Sequence, residues 1–273
     1  MAGTLFIVAT PIGNLEDITF RAVRVLGEVE LIAAEDTRRT RKLLNHLTLK
    51  KKIISFNEHS SGDRVKNIVE KLSTIDIALV TDAGTPCISD PGASLVAECY
   101  AQGIKVVSVP GASSLTASMA VSGFTANEFL FLGFLARTTN VRKEILERHK
   151  TYSKPIVIFE APHRIQSLLA VILETFGNRE LAICRELTKL HEEIFRGTVK
   201  EASEFFENPR GEFVLVILGN SKGSIEKPPD IEVVKKSMEK AKIQGFSRSD
   251  AAKKVSKELG VSRRSAYRFW ETE

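Results

Sequence analysis

"IDIALVTDAGTPCISDPGASLV", residues 75–96, is the stretch on which the fold turns. Its first six residues, apolar except for Asp76, are β-rich and read as a strand entering a core. Two Asp, two Pro and two Gly then crowd the eleven positions from Asp82 to Gly92. A simple connector needs one turn; this loop holds the chemistry of several. "ASLVAECYAQG" (93–103) follows as a helix closed by a glycine C-cap. Strand, elaborate loop and helix form one α/β unit.

The same rhythm extends in both directions. "TLFIVAT" (4–10), "LIAAE" (31–35), "KKIISF" (51–56) and "IKVVSVPG" (104–111) read as strands. Between them, 17–29, 37–47, 62–74 and 113–123 have helical spacing, the last built from small residues. Strands alternating with helices imply a mostly parallel sheet over residues 1–123. Beyond 123 the rhythm changes. Segments 128–135, 155–161, 180–187, 191–199 and 212–220 read as strands, several with no helix between them, which predicts a mixed-sheet α/β domain over 124–220. "SKGSIEKPPD" (221–230) reads as a linker, and 231–273 as a small basic helical domain. There Ser249 is expected to cap a helix with Ala252, Val255 and Leu259 on one face, Gly260 to end it, and Ser262 to cap "RRSAYRFWE". That pattern fits a helix-turn-helix and a helical dimer clasp equally.

Composition narrows the function. The net charge is +5, and residues 221–273, with thirteen Lys or Arg against eight Asp or Glu, carry all of it. The tail is therefore where a polyanion is expected. No stretch approaches the roughly 18–20 apolar residues of a membrane span, and the three cysteines show neither metal nor disulfide spacing. "HEE" (191–193) lacks the second His of a zinc motif. A reduced, cytosolic protein without a metal is expected.

Ligands of open parallel sheets lie at the carboxyl ends of the strands. Three Gly- or Pro-rich loops fall there: "ATPIGNLED" (9–17), "TDAGTPCISDPG" (81–92) and "VPGASS" (109–114). Singly, each could merely turn the chain; together they predict a shared crevice read by backbone groups. None matches a phosphate-binding pattern, which leaves a ligand such as an adenosine carrying a sulfonium and an amino acid. Asp82 can bind the amino group or ribose of such a molecule, or serve only as an Asx-turn acceptor in its own loop.

"FIVATPIGNLEDITFRA", "AEDTRRTRKLL", "TDAGTPCISDPGASLV", "VPGASSLTASMAVSGF", "FLGFLAR" and "FEAPHRI", spread in order over roughly residues 4–220, resemble the successive motifs of the tetrapyrrole-methylase-like superfamily. Within it they resemble the branch that methylates small-subunit ribosomal RNA. The resemblance implies that superfamily's two-domain fold and S-adenosylmethionine as cofactor. It also implies transfer of methyl to the 2′-hydroxyl of a cytidine in the decoding region, and a homodimer. For the cofactor it implies Pro11, Ile12, Asp82, Thr85, Ser113 and Ser114, with Glu160 and Leu187 from the second domain.

A ribose hydroxyl needs its proton removed as it attacks, so a base is sought. Glu35, Asp36, Glu160 and His163 are the candidates, with Glu186 after "AICR" a further one. Glu35 and Asp36 can instead pair with Arg38 and Arg39, and His163 can pack at a helix start. Arg38, Arg39, Arg41 and Lys42 form a basic cluster suited to RNA phosphates or to solvent. Arg263, Arg264 and Arg268 in the tail extend that expectation, with Tyr267 and Trp270 placed either to stack on bases or to pack inside. A tetrapyrrole or other small-molecule methylase, and a helix-turn-helix regulator whose body senses a ligand, are the competing readings.

Overall fold

The computed structural model describes residues 3–58, 60, 62–125, 127–207, 209–220, 231–259, 266–267 and 269–270. The chain divides into two compact units: residues 1–150 with 154–218, and residues 151–153 with 219–273.

The larger unit opens with β1 (Thr4–Val8), β2 (Leu31–Ala34), β3 (Lys52–Ser55), β4 (Ile77–Val80) and β5 (Lys105–Val109). They form a fully parallel sheet of order β3-β2-β4-β1-β5. The linking helices are α1 (Phe20–Glu28), α2 (Thr37–His46), α3 (Gly62–Leu72) and α4 (Ala93–Ala101). Period-two alternation sends each short strand to two cores. Leu31, Ala33, Ile77 and Leu79 join Ile68, Leu72 and Leu95 on one face. Ile32, Ala34, Ala78 and Val80 join Val25, Leu26 and Leu44 on the other. Both faces are thus covered, as parallel sheets require, and each buried Ile, Leu or Val contributes about 1.5–3 kcal/mol.

The second sheet contains β6 (Leu130–Phe134), β7 (Ile156–Glu160), β8 (Glu180–Arg185), β9 (Glu193–Thr198) and β10 (Phe213–Ile217), in the order β6-β7-β10-β8-β9. Only β6 and β7 pair in parallel, so the sheet is mixed. One sequence expectation changes here. Among the described residues, only β8 and β9 follow one another without a helix; α6 (Thr139–Arg148), α7 (Ile165–Phe176) and α8 (Val199–Phe205) occupy the other connections. Helix α6 is hard to see because Arg142, 2% exposed, stands where the apolar stripe should continue.

Helix α5 (Ser114–Val121) joins the two sheets. Its Leu115, Ala117 and Met119 pack with Ile12, Ala83 and Ala112 against Val157, Ala182, Val214 and Val216 of the second sheet. Ser118 and Ser122 are fully buried and return their hydroxyls to the Leu115 and Met119 carbonyls. Small residues let the backbone of α5 approach the sheet closely.

The smaller unit holds α9 (Ile231–Ile243) and α10 (Arg248–Leu259), around Val234, Met238, Ala241, Ala251, Ala252 and Val255. The cap of α10 is Ser247 rather than Ser249: its Oγ accepts the Asp250 N–H at 3.2 Å. Ala266 is buried in this core, and Tyr267, Phe269 and Trp270 pack against it, so the packed alternative for Tyr267 and Trp270 is the one observed. The linker 221–230, the Leu259 side chain, Gly260, Ser262, Arg263, Arg264 and Arg268 lie outside the described residues. No helix among the described residues is long and apolar enough to cross a membrane.

Candidate active site

The three strand-end loops are tied into one body. Thr10 and Gly84 exchange both backbone hydrogen bonds, at 2.9 and 3.0 Å, joining the loop after β1 to the loop after β4. The Thr10 hydroxyl donates to the Thr81 carbonyl at 3.1 Å, and the Thr85 hydroxyl to the Ala112 carbonyl at 3.3 Å. Asn14 N–H donates to Thr188 Oγ1 at 3.0 Å, reaching the loop after β8. The crowding of turn residues in 81–92 now has its reason. Gly84 and Gly92 have φ of +89° and +137°, and a Cβ on Gly92 would stand 2.6 Å from both Cys87 Sγ and Leu79 Cδ2. Cys87 and Ser89 hold positive φ without being glycine, a strain of about 1–3 kcal/mol each that concentrates at functional loops.

These loops form one wall of a crevice of about 500 Å³, and the second sheet forms the other. The first wall is acidic. Glu35 Oε2 accepts the Thr81 hydroxyl at 2.6 Å and the Asp82 N–H at 3.2 Å. Asp82 Oδ1 accepts the Asp36 N–H at 3.0 Å, while Oδ2 lies 3.4 Å from Arg39 Nε. Burial and the Glu35 charge raise the Asp82 carboxyl above its ordinary range. Asp90 is pushed up to about 6, chiefly by burial and then by Glu35, with the Thr81 hydroxyl working against the shift.

On the second wall Glu160, at the end of β7, is 1% exposed. Its Oε1 accepts the Ala161 N–H at 2.9 Å and lies 3.1 Å from Arg164 Nε; Oε2 has no hydrogen-bond partner among the described residues. Arg164 donates to the Leu135 and Ala136 carbonyls. Arg142 donates to Ala136 and Arg137 carbonyls and to Ser167 Oγ. Two arginines thus brace the segment after β6 and surround Glu160 with positive charge. Beside them Phe134, 57% exposed, meets Phe159 edge-on, with ring centroids 5.6 Å apart.

Of the residues singled out from sequence, Ile12, Glu35, Asp82, Ser114, Glu160, His163 and Leu187 line this crevice. Pro11 lines a smaller neighbouring cavity of about 170 Å³, shared with Arg39, Lys42 and Asp82. Thr85 is turned to Ala112, and Ser113 stands at the N-cap of α5 without a side-chain capping bond. Asp36 caps α2 through the Arg38 N–H at 2.8 Å and holds the Arg38 guanidinium at 2.7 Å. That side-chain bond keeps its carboxyl well below the usual range. Pairing with arginine is thus observed for Asp36, whereas Glu35 turns to Thr81 and Asp82. Arg38, Arg39, Arg41 and Lys42 are all exposed, and Arg39 also reaches the crevice. Sequence reasoning missed Asp90 and Phe134 as site residues. A carboxylate before Pro-Gly in the central loop was the available signal for the first; Phe134 gave none.

The chain belongs to the Tetrapyrrole (Corrin/Porphyrin) Methylases, whose family model matches residues 4–203. Two relatives are each named ribosomal RNA small subunit methyltransferase I. That of Thermotoga maritima is 53% identical over 220 residues, covering 80% of this chain and 99% of the relative. That of Halalkalibacterium halodurans is 41% identical over 280 residues, covering 99% and 96%. Among solved structures, uroporphyrin-III-C-methyltransferase of Thermus thermophilus shares the fold at a TM-score of 0.58 and 18% identity, over 79% of this chain and 94% of that one. A diphthine synthase shares it at 0.64 and 12%, over 79% and 90%.

S-adenosylmethionine is the cofactor of this family, and the crevice suits it. The unpartnered buried Glu160 Oε2 calls for a hydrogen-bond donor, the acidic wall for cationic groups, and Ile12, Leu187 and Phe159 for an apolar ring. The volume lies within the range of small-molecule sites.

Proposed function

We propose that this protein transfers methyl from S-adenosylmethionine to small-subunit ribosomal RNA, at the 2′-hydroxyl of a cytidine in the decoding region. The observation that carries this reading is the 41% identity, over 99% of the chain, to a relative named for small-subunit ribosomal RNA methylation. Ile12, Asp82, Ser114, Glu160 and Leu187 would hold the cofactor, with Pro11, Thr85 and Ser113 shaping the loops around it. When bound, it supplies an electrophilic methyl group on a sulfonium.

The protein's part is to orient the acceptor hydroxyl, exclude water and accept a proton. Glu35, Glu160 and His163 stand at the crevice for those roles; Asp36 acts from α2, by holding Arg38. Arg38, Arg39, Arg41 and Lys42 would contact RNA phosphates beside the crevice, and Arg263, Arg264 and Arg268 would add affinity from a tail domain, 231–273, tethered by 221–230. A cytoplasmic homodimer acting on the small subunit completes the reading.

The test uses labelled S-adenosylmethionine with small ribosomal subunits lacking the modification. Label is expected in the small-subunit RNA, at a cytidine whose 3′ linkage resists alkali because its 2′-oxygen is capped. Label in a base, in an alkali-sensitive position, or only in a tetrapyrrole acceptor would sink the proposal.

A further inference from the structure

Three strands of the second sheet run in one direction and bring their carboxyl ends to one edge. β7 and β8 both lie antiparallel to β10, and β6 lies parallel to β7. Along that edge Phe134 ends β6, Glu160 ends β7 and Leu187 follows β8, and all three line the crevice. In the order β6-β7-β10-β8 the outer two stand three strand spacings apart, about 14 Å. At the β8 end Leu187 is joined by Ile12, whose loop is tied to the loop after β8 through the Asn14 N–H and Thr188 Oγ1. At the β6 end the lining is the Phe134 ring, more than half exposed.

That ring is aimed into the crevice by a β-bulge. Regular alternation sends Phe131 and Phe134, three residues apart, to opposite faces of a sheet. Here Phe131 pairs with Val157 and Phe134 with Phe159, so three steps along β6 match two along β7. Gly133, at φ +61°, accommodates the extra residue. Both rings therefore meet Phe159, with centroids 4.8 and 5.6 Å apart. The next three carbonyls are then held in place: Leu135 and Ala136 by Arg164, Ala136 and Arg137 by Arg142. The chain fixes a large apolar ring that it does not bury.

Resting on the reading above, we propose that Phe134 is the platform on which the nucleobase of the acceptor nucleotide stacks. Two observations select that occupant over the adenine of the cofactor. A single planar base cannot span the roughly 14 Å between the two ends, so a ring seated at Ile12 and Leu187 leaves Phe134 to a second one. Arg39, from the exposed basic cluster of α2, lines the same crevice and offers a cation to the phosphates of an entering strand. Bases of unpaired RNA can be splayed out onto aromatic side chains in this manner. Because stacking needs only a π-face, Phe134 positions the nucleotide without choosing its base.

Full-length Phe134→Leu and Phe134→Tyr are compared with the wild type on small subunits lacking the modification. A second substrate is the same subunit reconstituted with an acceptor nucleotide that keeps its ribose and lacks its base. On the intact acceptor, Phe134→Leu should lower kcat/KM about 5–150-fold, while Phe134→Tyr stays close to wild type. Calorimetry should find the same affinity for S-adenosylmethionine in all three proteins. On the baseless acceptor, wild type and Phe134→Leu should be equally slow, because the contact that the substitution removes is already gone.

A Phe134→Leu penalty that persists on the baseless acceptor would overturn the proposal, since the ring would then act through the fold. Weakened cofactor binding in Phe134→Leu would give the ring to the cofactor instead. A Phe134→Leu rate equal to wild type on the intact acceptor would show that the base is held elsewhere. If the wild type itself methylates no RNA, the proposed function fails and takes this role with it. That result is separable because it is read before any variant is made.

Discussion

The two walls of the crevice solve the problem of buried acids in opposite ways. On the first-sheet side, Glu35, Asp82 and Asp90 stand together with one exposed cation, Arg39, paired to Asp82, and burial, then the Glu35 charge, raises Asp82 and Asp90 above their ordinary range. On the second-sheet side, one carboxylate, Glu160, meets two largely buried arginines, Arg142 and Arg164. The first wall therefore carries carboxyls raised above their ordinary range, and the second a buried carboxylate with arginines beside it.

The second wall should break hardest. Glu160→Ala leaves Arg142 and Arg164 buried without their countercharge, and is expected to cost about 3–5 kcal/mol in urea unfolding. A loss below about 1 kcal/mol would mean that the arginines are balanced elsewhere. Gly92→Ala tests the backbone of the first wall: with φ at +137° and a Cβ 2.6 Å from Leu79 and Cys87, a loss of roughly 2–3 kcal/mol is expected.

The smallest effect is in the titration of the first wall. Asp90 holds its proton more tightly when folded, about 6 against an ordinary 3.8, so folding stability falls as pH rises from about 4 to about 6. Asp90→Asn removes that fall. Its stability relative to wild type should therefore rise by roughly 1 kcal/mol between pH 4 and pH 7, a figure discounted for partial solvent screening. An unchanged difference across that range would show that Asp90 titrates normally.

The first sheet was readable because its strands are short apolar runs separated by Gly- and Pro-rich loops, with helices of clear period between them. The second half hid its helices for local reasons. In α6 a core position is taken by Arg142, and α8 is seven residues long, held by a Thr198–Glu201 capping box. At the site, the residues that share the crevice were largely visible as motifs, but their partners were not. Whether Glu35 turns to Arg38 or to Thr81, 46 positions away, depends on β2 lying beside β4. No local pattern contains that fact.

The reciprocal Thr10–Gly84 bonds carry a thermodynamic consequence. They fix the 81–92 loop as part of the folded frame, with Cys87 and Ser89 already in their strained conformations before any ligand arrives. A ligand entering the crevice then meets a preorganised surface and removes little chain entropy from it. Affinity at this wall is set by contacts rather than by loop ordering. The strain appears instead as stability that the free protein lacks.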